Sequence, residues 1–139
     1  MNLQTHVLRL NPGDDLRGAL EAAFASLVAQ QGLQAACVVS AVGSLSRAEL
    51  RYAGQNAGAV LTGDMELLTL SGTLSPDGPH LHASVADAQG RVAGGHVLAG
   101  CVVRTTAEVV LALLPEWHFS RVNDPLTGYK ELAIRPAPG

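Results

Sequence analysis

The sequence predicts an α+β fold: a single domain with a large antiparallel β-sheet and one main helix packed on it. One segment alone, Leu16 to Val28, repeats its apolar residues at helical spacing. Elsewhere, runs rich in β-branched or alternating residues recur, mostly joined by short turns, which is the pattern of an antiparallel sheet. The length, 139 residues with 47% hydrophobic, suits one domain over 1–139 with a real core, and no repeat or linker divides it.

Taken in order, Thr5 to Leu10 reads as a strand ended by Asn11, Pro12 and Gly13. Asp14 or Asp15 then caps a helix whose inner face is Leu16, Leu20, Ala23, Phe24, Leu27 and Val28, and Gly32 stops it. Ala35 to Val42 is a buried strand, and Gly43 to Ser46 a turn. Arg47 to Tyr52 alternates, with Ala48, Leu50 and Tyr52 on one side and Arg47, Glu49 and Arg51 on a wet face. Ala53 to Thr62, rich in Gly, Ala, Gln and Asn, reads as a mobile loop. Met65 to Leu70 is a strand closed by Ser71 and Gly72, and Ser75 to Pro79 is turn material. Cys101 to Leu114 forms one or two strands stopped by Pro115, with Glu108 needing an edge, a partner or an interface. From Glu116 a loop leads to a short final strand, Tyr129 to Ile134.

Only 15% of the residues are charged, against roughly a quarter in an average domain. So little polar material points to surface buried in a symmetric homo-oligomer. Net charge is −3 and Lys130 is the sole lysine, so no basic stripe provides the footprint that nucleic-acid binding needs. Cys37 and Cys101 lie in apolar runs without metal-type spacing and read as reduced thiols. Met1 to Leu10 has no signal-peptide pattern, and Val109 to Leu114 is the longest apolar run, too short to cross a bilayer. The expectation is a cytoplasmic protein without membrane contact.

The chemistry concentrates in Gly78 to Gly100, which holds His80, His82 and His96. In a strand, His80, His82 and Ser84 share one face while Leu81, Ala83 and Val85 make a core face on the other. Asp87 to Arg91 fits a hairpin with a three-residue loop and Gly90 in the left-handed position, which pairs Asp87 with Arg91 and sets His82 opposite His96. A two-residue loop, or a bulge at Gly94 and Gly95, would shift the register and undo the cluster. Converging imidazoles suit zinc or a similar divalent ion, with a fourth position left open. Against this stands a polar face or an oligomer contact with no metal. An open zinc site supports hydrolysis or hydration, or else only selects an anionic ligand. Glu66 is the sequence-level candidate for a catalytic base.

Read together, "NPGDDL", "VGSLSRAEL", "GDMELLTLSGTL", "HLHASVADAQGRVAGGHVLAGCVV", "TAEVVL" and "FSRVNDPLTGYKEL" resemble the plant and prokaryote conserved (PPC) domain over nearly the whole chain. The resemblance implies an α+β fold assembled as a homotrimer, with a metal-type site at His80, His82 and His96. It also carries a DNA-binding label, by analogy with plant members in which the domain follows an AT-hook. The Arg-Gly pair here, Arg17 and Gly18, falls inside the expected helix instead. The plant partner-contact motif Gly-Arg-Phe-Glu-Ile-Leu stands here as Gly63, Asp64, Met65, Glu66, Leu67 and Leu68, without its Arg and Phe. Arg121, in the retained Phe-x-Arg pattern with Phe119, is a candidate anion-binding residue, or a surface ion-pair partner.

The leading expectation is therefore a cytoplasmic homotrimer whose three histidines bind a divalent metal, zinc first, in a small-molecule or regulatory role. A DNA-binding regulator without a hook and a zinc-dependent hydrolase are the alternatives.

Overall fold

The computed structural model describes residues 3–138; positions 1, 2 and 139, which the single-domain and N-terminal expectations include, lie outside the described residues. In chain order the elements are β1 (Gln4–Leu10), α1 (Leu16–Gln31), β2 (Ala36–Arg51), β3 (Ala59–Ser75), β4 (Gly78–Ala86), β5 (Val92–Val97), β6 (Val102–Leu113), β7 (Trp117–Asn123) and β8 (Lys130–Pro136).

The α1 helix forms where the apolar spacing places it. Asp15 is the N-cap: one carboxylate oxygen accepts the Gly18 N–H at 2.8 Å, satisfying an orphan donor of the first turn. Its other oxygen accepts the Gly100 N–H at 2.6 Å, tying the helix start to the turn before β6. Gly32, at φ 68°, ends the helix in the left-handed conformation that glycine adopts without a Cβ penalty. Leu16, Leu20, Phe24 and Leu27 are buried against the sheet.

Six strands form one antiparallel sheet in the order β1-β6-β2-β3-β4-β5. The end of β2 also pairs with β5, Leu50 with Val97 and Arg51 with His96, so the sheet curls back on itself. Leu81, Ala83 and Val85 of β4 are buried in the core, as are Val103, Val109 and Leu111 of β6. The β7–β8 hairpin forms a separate two-stranded sheet.

The α+β class with one helix on an antiparallel sheet matches the sequence expectation, but several boundaries do not. No turn interrupts β2 at Gly43 to Ser46; the small residues there let one long strand bend through register shifts, and buried Ser44 bonds Thr105 through its hydroxyl at 2.6 Å. Ala59 to Thr62 belongs to β3 rather than a loop, because Leu50 and Arg47 of β2 pair with its two ends. Ser71 and Gly72 do not close that strand, since both pair with β4, which itself begins at Gly78 within the expected turn. Cys101 to Leu114 yields the one strand β6. The expected loop after Glu116 contains β7, and the last strand starts at Lys130 rather than Tyr129.

On the outer face of β1, β6, β2 and β3, Val7, Val42 and Leu68 are 67%, 56% and 48% exposed. Glu108 sits on this same exposed face, paired with Arg9 on one side and Val42 on the other. Among the described residues no helix is long and apolar enough to cross a membrane.

Candidate metal centre

The site begins at the β4–β5 hairpin. Asp87 donates its N–H to the Arg91 carbonyl at 2.9 Å and accepts the Gly90 N–H at the same distance, with Gly90 at φ 76°. The Asp87 carboxylate accepts the N–H groups of Gln89 and Arg91 and pairs with the Arg91 guanidinium at 2.7 Å. That pairing holds its carboxyl below the ordinary carboxylate range. The three-residue loop fixes the register, and His82 lies directly opposite His96.

Gly94 and Gly95 carry no bulge; they pair in register with Ser84 and Ala83. Their role is close approach. A Cβ on Gly94 would stand 2.9 Å from the Ala83 carbonyl oxygen of β4, and one on Gly95 would stand 2.6 Å from the Arg51 carbonyl oxygen of β2. Two strands therefore crowd β5 from either side, and His96 follows at the point of closure.

The three rings converge on the sheet face away from the buried Leu81, Ala83 and Val85. Ring centroids are 5.0 Å apart for His80 and His82, 5.2 Å for His80 and His96, and 5.8 Å for His82 and His96. One nitrogen from each ring lies within 4.8 Å of the others. Ligands about 2.1 Å from a tetrahedral ion are about 3.4 Å apart, so modest ring rotations would close the set.

Burial, with the nearby Arg121 charge, lowers the His80 pKa, and burial with Arg51 pushes His96 down to about 4. Both imidazoles are therefore neutral near pH 7, with lone pairs available to a metal. Three imidazole nitrogens without a thiolate or carboxylate fit a divalent ion of the zinc type.

The triad opens into a groove of about 830 Å³ between the 51–56 segment, the rims of β4 and β5, and the β7–β8 hairpin. A smaller recess of about 290 Å³ reaches His80 and His82 from the β3 side. Arg121 borders both cavities. Its guanidinium donates to the Thr73 hydroxyl at 2.9 Å, and its backbone N–H donates to the Asp77 carboxylate at 2.8 Å. Glu66 is not brought to the triad. It is exposed on β3, opposite Ser44 and Ala86, and borders neither cavity. Glu131 is the glutamate that borders both.

Sequence reasoning passed over Arg51 as a site residue. Its alternation put it on a wet face, but the signal that matters, its pairing with His96, is a contact between strands distant in the chain.

The family described as the Plants and Prokaryotes Conserved (PCC) domain matches residues 1–115. The chain is 54% identical over 138 residues to a bifunctional protein GlmU of Synechococcus sp. (strain JA-2-3B'a(2-13)), covering 99% of this chain and 21% of that protein. It is 33% identical over 119 residues to AT-hook motif nuclear-localized protein 2 of Arabidopsis thaliana, covering 79% of this chain and 34% of the relative. The chain thus spans about a fifth to a third of the length of these curated relatives. A solved Salmonella enterica protein shares 43% identity at a TM-score of 0.89, over 97% of this chain and 95% of that one. A metal-containing protein from Archaeoglobus fulgidus shares 28% identity at a TM-score of 0.76, over 94% and 93% of the two chains.

Proposed function

The chain belongs to the Plants and Prokaryotes Conserved domain family, and from that premise we propose that it binds a divalent metal, zinc first, through His80, His82 and His96 and uses the site to hold a small molecule. The observation that carries this reading is the convergence of three imidazole nitrogens within 4.8 Å beside an open groove. The relative from Archaeoglobus fulgidus, described as metal-containing, adds support. A divalent ion there would supply Lewis-acid polarisation of a ligand oxygen. This chain's own part is to offer three imidazoles on the β4–β5 hairpin and cationic side chains at the groove rim.

In our reading the working form is a homotrimer, with the exposed apolar face around Val7, Val42 and Leu68 covered by neighbouring subunits. The cytoplasm suits it, since Cys37 and Cys101 are both free thiols. A hydrolase would need a base at the groove, and Glu131 rather than Glu66 is placed for one.

The test is elemental analysis of tag-free protein purified without chelator, beside His82→Ala. The expected result is about one zinc per chain that disappears in the variant, as a site lacking one of its ligands requires. No metal, even after zinc is supplied, would overturn the metal reading. The DNA reading draws on the plant relative's AT-hook name, against a net charge of −3. Retention of the same preparation on duplex DNA, weakening steeply with salt, would favour it.

A further inference from the structure

Four of the eight arginines, Arg17, Arg47, Arg91 and Arg104, are ion-paired among the described residues, with Glu21, Glu49, Asp87 and Asp64. Of the other four only Arg51 and Arg121 border the histidine groove. A guanidinium kept at a cavity without a carboxylate partner retains N–H donors for a bidentate anion contact.

Strand pairing places these two arginines on opposite flanks of the triad. Arg51 of β2 is paired with His96 of β5, and His96 is paired with His82 of β4. On the other flank Thr73 of β3 is paired with His80 of β4, and its hydroxyl holds the Arg121 guanidinium at 2.9 Å. Neighbouring strands lie about 4.8 Å apart, so the two cations enter the groove from either side of the imidazoles rather than as one cluster. The Arg51 charge bears on both His96 and His80, and the Arg121 charge on His80. Lys130 adds a third cation to the groove wall, while the carboxylates there are Asp77 and Glu131. Of these, Asp77 already accepts the Arg121 backbone N–H.

We propose that the groove selects a small organic molecule carrying two anionic groups, carboxylate or phosphate, one taken by Arg51 and the other by Arg121, with the middle of the molecule over the three histidines. This rests on the reading of the triad as a ligand site and adds Arg51 as a specificity-determining residue. A ligand with a single anionic end would leave one of the two guanidinium groups unanswered. The groove, at about 830 Å³, is of the size that takes a small molecule.

The test is calorimetric titration of the wild type and Arg51→Gln, each metal-free and zinc-loaded, with acetate, malonate, succinate, glutarate and inorganic phosphate. Arg51 is exposed, so its replacement removes charge and leaves the core intact. The expected result is that one of the dicarboxylates binds at least tenfold more tightly than acetate, and that Arg51→Gln loses this preference while keeping its zinc content. Phosphate binding as tightly as the best dicarboxylate would overturn the two-anion reading, because a single anionic group cannot answer both guanidinium flanks. Equal binding of acetate and all dicarboxylates, or a preference unchanged in Arg51→Gln, would overturn the proposal. Zinc content separates the two readings. A metal-free chain that still selects dicarboxylates through Arg51 keeps this inference and loses the metal, whereas a zinc-loaded chain without selectivity does the reverse.

Discussion

His82 and His96 face each other directly across β4 and β5, with ring centroids 5.8 Å apart, at the end of the hairpin remote from its loop. Their meeting depends on a register set by Asp87 and Gly90 and on how tightly β5 is gripped by its neighbours. Each dependence can be tested separately.

Gly95→Ala puts a methyl group 2.6 Å from the Arg51 carbonyl oxygen, a backbone atom with nowhere to rotate. The variant should lose about 1–3 kcal/mol of stability, the usual range for overpacking, and β5 must shift away from β2 and carry His96 with it. Zinc titration should then show at least tenfold weaker binding. Gly90→Ala is the control: it has nothing within 4 Å but sits at φ 76°, so it should cost about 1 kcal/mol in denaturant unfolding and leave zinc affinity within about twofold.

Acid should act through the triad. His96 titrates near 4 when folded against an ordinary 6.5, and His80 is lowered as well, so the folded chain binds fewer protons than the unfolded chain between those values. Where the unfolded state binds more protons, stability rises with pH. The metal-free protein should therefore lose stability as pH falls from about 6.5 towards 4, and His96→Gln should flatten that slope. Asp87, lowered below its ordinary 3.8 by Arg91, loses its contribution only further into acid. Denaturant midpoints measured at half-unit pH intervals on both proteins test this. A slope that is the same in His96→Gln would remove the histidine from the account.

Assembly gives a third test. Val42 is 56% exposed on the outer sheet face, paired with Glu108 and near the exposed Leu68. Val42→Asp adds a charge opposite Glu108, which costs up to about 1 kcal/mol in a solvated monomer but much more when desolvated against a neighbour. Light scattering should show a trimer for the wild type and monomer for the variant, with little change in far-UV circular dichroism. A wild-type monomer would refute the trimer.

The parts legible in the sequence were those governed by local chemistry. Asp15 and Gly32 bracket the helix because a carboxylate and a positive-φ glycine act within one turn of their own position. The histidine register was legible for the same reason, since Gly90 and Asp87 decide it inside their own loop. What stayed hidden depends on distant strands. Gly43 to Ser46 carries the composition of a turn, yet β3 and β6 pair with it from both sides and draw it into one bent strand. Ala59 to Thr62 is likewise a strand only because β2 runs alongside. Trp117 to Asn123 becomes a strand through β8, and it delivers Arg121 to the groove, where no local pattern could locate Arg51 on the opposite flank.

The triad and the β7–β8 hairpin fall on different sides of residue 115, where the family match ends. The family match thus covers the floor of the groove, while one wall, with Arg121, Lys130 and Glu131, lies outside the matched residues. A relative matching only the shared part would offer the same metal ligands to a differently shaped guest. Whatever such a protein carries in its groove is therefore no guide to the guest of this one, and swapping the terminal hairpins between two family members should exchange their guests without exchanging their metal.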